Sequence, residues 1–105
     1  MAYKDIKRRL DIKDVIILDG ATGTELQQRG ASMNPAAWCG PASLDNKQLL
    51  TQIHLDYLQA GSDIITANTF ASSRLMLSGA GLGNQVKEIN RTAVEACLEA
   101  RTQFK

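Results

Sequence analysis

Aromatic residues are scarce in this sequence, at 5% of 105 positions, and there is a single tryptophan, Trp38. So few rings offer no stacking platform of the kind that single-stranded nucleic acid requires. An excess of one charge is also lacking, since 12 lysines and arginines stand against 11 aspartates and glutamates. The resulting net charge of +1 gives no bulk attraction to nucleic acid or to an anionic membrane. The one basic cluster, Lys4, Lys7, Arg8, Arg9 and Lys13, is interrupted by Asp5, Asp11 and Asp14 and reads as a solvated helix or arm. No apolar run approaches the roughly 20 residues that span a bilayer. The charged N-terminal stretch lacks the apolar segment of a signal peptide, so a cytoplasmic location is the default expectation. Cysteine is limited to Cys39 and Cys97, with no CxxC pair, and histidine to His54. Zinc needs three or four converging ligands, so this chain is not expected to bind a metal on its own.

What is present has the length of one small domain, able to bury only a modest core. Residues 1–14 form a polar, partly helical lead-in, and residues 15–105 carry the domain proper. Val15, Ile16, Ile17 and Leu18 make a short β-rich run ending at the turn signal Asp19-Gly20, as in a parallel strand buried on both faces. Thr24 and Gln27 fit a capping box for a short helix that stops near Gly30. Residues 31–44 hold both prolines and Trp38, the composition of an irregular surface loop. A second capping box, with Asp45 as the cap, opens a helix whose apolar stripe is Leu50, Ile53, Tyr57 and Ala60 and which Gly61 ends. Residues 63–67 read as a second strand running into Asn68-Thr69-Phe70. A helical turn is expected around Arg74 to Leu77. Asn84 is placed to cap a last helix with Val86, Ile89, Ala93, Ala96, Cys97, Ala100 and Phe104 on its apolar face.

Strands alternating with helices imply an α/β fold of parallel (β/α) units with right-handed crossovers. Two strands make a poor sheet by themselves, whereas a closed barrel of eight such units needs about 250 residues. Either the chain is a piece of a longer barrel, or it needs partners to cover its open edges. Its open sheet edges are expected to promote association, including homo-oligomers.

Two clusters sit at strand C-terminal ends, the side where parallel α/β folds bind ligands. Asp19 can hold an ammonium group, and Gly20 and Gly23 let the backbone approach a ligand closely. Helix-start N–H groups favour a carboxylate, so the combination suits an amino acid. Asp19 as a simple turn-former fits the same spacing. Asn68 and Thr69 offer an amide and a hydroxyl beside Asp19, or serve only as a polar strand end. Neither a phosphate-cradling GxxxxGK[ST] loop nor a GxGxxG fingerprint is present. His54 is assigned to the helix surface or the border of the apolar stripe. Trp38 either walls a pocket or covers apolar surface, and Cys97 is assigned to the core.

The run from Ile17 to Gln27 (Ile-Leu-Asp-Gly-Ala-Thr-Gly-Thr-Glu-Leu-Gln), then Trp38, then Ile53-His54-x-x-Tyr57-Leu58-x-Ala60-Gly61-Ser62-Asp63-Ile64-Ile65-Thr66-x-Asn68-Thr69-Phe70, resembles the homocysteine S-methyltransferase family. The resemblance implies a (β/α)8 barrel that transfers a methyl group to the thiol of homocysteine, giving methionine. It implies a zinc ion in full-length members, with cysteine ligands from later strands that neither Cys39 nor Cys97 matches. It further implies that the chain is the N-terminal portion of a TIM-type barrel, that Asp19 holds the homocysteine amino group, that Gly20 and Thr69 lie near its carboxylate, and that Trp38 walls the pocket; Asn68 is a substrate-binding candidate by its amide beside Asp19. The methyl donor is not legible in the sequence. A non-catalytic amino-acid-binding piece that needs partner chains is the competing expectation.

Overall fold

The computed structural model describes residues 3–105. Its helices are α1 (Tyr3–Asp11), α2 (Gly23–Gln28), α3 (Ala42–Asp45), α4 (Lys47–Ala60), α5 (Arg74–Gly79) and α6 (Val86–Phe104), with a 3₁₀ turn at Gly83–Gln85 before α6. The two long helices follow from periodicity. In α4 the residues Leu50, Ile53, His54 and Leu58 turn inward, and in α6 Ile89, Ala93, Ala96 and Ala100 do so. The two helices pack against each other, and the alanines of α6 let them approach closely. Leu50 and Ile53 join Leu26, Ala31, Cys39, Ala42, Ala71 and Ala96 in the main core, while Ala37, Leu77 and Ile89 form a smaller one. Gly61 ends α4 with φ +114°, a left-handed conformation that costs glycine little.

The strands depart from expectation. Among the described residues they reduce to a single parallel bridge between Leu18 and Ile64. Asp63 N and Ile64 N donate to Ile17 O at 2.8 and 3.2 Å, and Asp19 N donates to Ile64 O at 3.0 Å. The parallel pairing is present, but two segments alone do not sustain a longer ladder. Nor is the first segment buried on both faces, since Val15, Ile17 and Leu18 are 71, 52 and 63% exposed. No described element packs over them.

The helix starts also differ. α2 begins at Gly23, one residue before the expected cap Thr24, and the flanking Thr22 makes no side-chain cap. Asp45 cannot cap α4 because residues 42–45 are already helical; Asn46 flanks α4 without a side-chain bond. Asn84 lies inside the 3₁₀ turn and caps nothing. Among the described residues that flank helices, Ser73 alone acts as a side-chain cap, its Oγ accepting from Met76 N at 3.2 Å, at the start of the helix expected near Arg74. The stretch 31–44 is less irregular than its composition implies. Asn34 and Trp38 exchange two 2.8 Å backbone hydrogen bonds, and Ala37, Cys39, Gly40, Ala42 and Ser43 are buried.

Helix α1 buries none of its residues. Arg9 ties it to the segments that follow. Arg9 donates to Asp14 at 2.7 Å, to Asp63 at 2.7 Å and to Val15 O at 3.0 Å, and Asp63 in turn accepts from Ile17 N at 2.9 Å. The guanidinium lowers the pKa of both carboxyls, with help from the Val15 and Ile17 N–H groups.

The surface position expected for His54 is wrong. Its side chain is fully buried, with Nε2 3.3 Å from Cys97 Sγ and Nδ1 without a hydrogen-bond partner. Cys97 is correspondingly half-buried against α4 rather than fully in the core. Burial pushes the Cys97 thiol up to about 11 and lowers the His54 pKa; the charge of Asp19 adds to the first effect and partly opposes the second. A lowered folded-state pKa means that the unfolded chain takes up the proton first as pH falls. Stability contributed by neutral His54 is complete above the unfolded value, about 6.5, and is lost progressively below it. The urea midpoint should therefore fall between pH 7 and pH 5.5, above the range where the carboxylates titrate. As this is the only histidine, His54→Gln should flatten that slope whatever it does to absolute stability.

Candidate functional site

Asp19 follows the bridged residue Leu18, so the parallel pairing aims its carboxylate across to the second segment. Both oxygens are held there by one residue. Thr66 N donates to Oδ2 at 2.9 Å, and Thr66 Oγ1 donates to Oδ1 at 3.0 Å. The following turn is tied from behind by α4, where the Tyr57 hydroxyl donates to Ala21 O at 2.8 Å. That hydroxyl would lie 2.9 Å from a Cβ at residue 20, so a side chain there would displace it from Ala21 O.

Trp38 makes the opposite wall. Its backbone has φ +48°, unusual for a bulky residue, and its ring lies over the first turn of α2. A Cβ on Gly23 would fall 2.5 Å from the indole, so the missing side chain is what admits the ring. Between these walls is an open cavity of about 290 Å³, lined among others by Asp19, Gly20, Trp38, Thr66, Asn68 and Phe70.

The structure thus brings Asp19, Gly20, Trp38 and Asn68 around one cavity. Thr69 is exposed and stays outside the lining. Asn68 lines the cavity but is 5% exposed, and its amide is turned to the loop behind. Its Nδ2 donates to Cys39 O and to Ser43 Oγ, both at 3.0 Å, while Oδ1 accepts from Cys39 Sγ at 3.4 Å. Thr66, Tyr57 and Ser43 were missed as site residues by the sequence reading. Thr66 had a signal, because a two-residue period puts it on the same side as Asn68.

No three His, Cys, Asp or Glu side chains converge among the described residues. Burial raises the pKa of both thiols, the reverse of what a metal thiolate needs. The described residues therefore do not fit a zinc site. No described helix is long and apolar enough to cross a membrane.

The profile of the homocysteine S-methyltransferase family matches residues 16–105. The chain belongs to that family. Its homocysteine S-methyltransferase relative YbgG from Bacillus subtilis is 30% identical over 100 residues, covering 94% of this chain and 32% of that protein. A selenocysteine Se-methyltransferase from Brassica oleracea var. italica is 34% identical over 89 residues, covering 84% of this chain and 26% of that protein. The crystal structure of the homocysteine methyltransferase MmuM from Escherichia coli, in its metallated form, superposes with a TM-score of 0.82 at 29% identity, covering 94% of this chain and 35% of that one. The chain thus spans about a third of the length of the relatives it matches. Asp19, Gly20, Trp38 and Asn68 all fall inside the family match.

Proposed function

We propose that this chain supplies the amino-acid-binding part of a homocysteine S-methyltransferase. The observation that carries the reading is the Asp19 carboxylate, gripped on both oxygens by Thr66 and facing a cavity walled by Trp38. Each carboxylate oxygen can accept more than one hydrogen bond, so Asp19 keeps acceptor capacity for an ammonium group. Gly20 lines the same space, where its backbone would meet the substrate carboxylate; Thr69, expected beside it, is exposed outside the lining. The Trp38 ring would flank the substrate's methylenes and exclude water from one side.

In the complete reaction the homocysteine thiol attacks the methyl carbon of a donor, the donor's leaving group departs with the bonding electrons, and the thiol proton is released. The residues of this chain hold and orient the amino acid for that attack. Activation of the thiol, for which family resemblance implies zinc, is not among their tasks. The surrounding architecture proposed is the first part of a (β/α)8 barrel, with residues 1–14 as a lead-in and residues 15–105 as barrel domain. The exposed Val15 and Ile17 on one face of the segment and Leu18 on the other fit a strand awaiting further strands or another chain. A cytoplasmic location and a place in methionine formation go with this reading.

Titration of the 105-residue chain with L-homocysteine, followed by the fluorescence of its single tryptophan, tests the proposal. A saturable change is expected, with a similar response to L-methionine and none to a thiol lacking the amino-acid group, such as 2-mercaptoethanol. An equal response to both thiols would remove Asp19 from recognition and defeat the reading.

A further inference from the structure

We infer that Asn68 is a positioning residue that sets the Trp38 wall of the cavity and does not itself contact the amino acid; the ligand arm of this inference rests on the binding reading above. The amide spends both donors and its acceptor on the segment that follows Trp38: Cys39 O, Ser43 Oγ and Cys39 Sγ. With both donors engaged and the residue 5% exposed, the amide has no N–H left to offer a ligand across the cavity, and its oxygen is turned to Cys39. Ser43 closes the arrangement by donating back from Oγ to Asn68 O at 3.4 Å.

These bonds act on Trp38 because of where they fall. Trp38 holds φ +48°, a conformation that costs a bulky residue free energy and persists only where its surroundings over-determine it. On its N-terminal side the paired hydrogen bonds with Asn34 fix its backbone. On its C-terminal side the grip of Asn68 on Cys39 does so. Held from both sides, the indole is pressed over Gly23 of α2. Removing the Asn68 amide frees one side, lets the Trp38 backbone relax toward negative φ and lifts the ring away from Gly23.

The test compares wild type with Asn68→Ala and with Ser43→Ala, a milder change that removes one of the two acceptors. Ala100→Gly serves as a control that weakens α6 away from the cavity. In each variant, acrylamide quenching and the emission maximum of Trp38 are read without ligand, under conditions where far-UV circular dichroism shows full helix content. Asn68→Ala should make Trp38 more accessible to acrylamide and shift its emission to the red. Ser43→Ala should do the same to a smaller degree, and Ala100→Gly should leave both readings at wild-type values. L-homocysteine affinity should fall about tenfold in Asn68→Ala, the size expected on losing buried hydrogen bonds. Wild-type quenching in both folded loop variants would overturn the inference. So would a ring displaced equally by Ala100→Gly, which would mean general loosening. Because the quenching comparison needs no ligand, a wild-type chain that fails to bind homocysteine would sink the binding reading and leave the positioning role to be judged on Trp38 alone.

Discussion

Asp19→Ala should weaken L-homocysteine binding by about 2 kcal/mol, or roughly thirtyfold, the low end of the range for removing one partner of a hydrogen-bonded charge pair. The low end applies because Asp19 is half-buried and the cavity is open to solvent, which screens the pairing. Asp19→Asn separates charge from geometry. Its Oδ1 can still accept from Thr66, so the turn should keep its shape while the attraction to the ammonium group is lost. Both variants should therefore bind poorly, and Asn should unfold closer to the wild-type temperature than Ala. Calorimetric titration gives the first quantity and thermal melts the second. If Asp19→Asn bound as wild type does, the carboxylate would be only a turn-former, the other use its sequence context allows.

Gly40→Ala should be the most damaging of the glycine substitutions. A Cβ there would sit 2.4 Å from Ala71 O and 3.2 Å from Ala37 O, both backbone atoms that no rotamer change can move. Overpacking of this kind costs about 3 kcal/mol. For a chain of this size, that corresponds to a drop in Tm of roughly 10–20 °C. Gly23→Ala meets comparably short distances, but to the Trp38 ring and Cys39 Sγ, which can shift. It should cost less stability and change Trp38 fluorescence more. The contrast between the two melting temperatures checks the argument; equal losses would mean that the loop backbone is softer than its hydrogen bonds imply.

The parts of this molecule that the sequence made legible are those whose stabilisation is local. Helices α4 and α6 were read from apolar spacing, and the Gly61 stop from its conformational freedom. Caps were misread because Asp45, a plausible cap by type, had already been drawn into α3. His54 was misplaced by residue class. It lies four residues after Leu50 and three before Tyr57, so helical spacing alone puts it on the buried face, and its polarity argued the wrong way. The strand segments announced themselves by β-rich runs, but ladder length depends on neighbouring strands that lie outside any local window. At the candidate site, Asp19, Gly20 and the glycine beneath Trp38 were visible as a pattern. The roles of Thr66 and Asn68 were not, because which face of a strand end looks into a cavity is settled by pairing between segments far apart in sequence.

The attachment of α1 bears on how the two segments find their alignment. In most sheets register is chosen by which side chains an alternation sends inward, because a one-residue slip exposes the whole apolar set. Here the first segment is exposed and apolar at several successive positions, so alternation discriminates poorly. The Asp63 carboxylate accepts from Ile17 N and from Arg9, while Arg9 also reaches Val15 O. A slip by one residue would break the Asp63–Ile17 bond and pull the carboxylate off the guanidinium together. Alignment in this molecule is thus held by polar pairs at both ends of the paired stretch, Arg9–Asp63–Ile17 at one and Asp19–Thr66 at the other, with hydrophobic patterning in a secondary part.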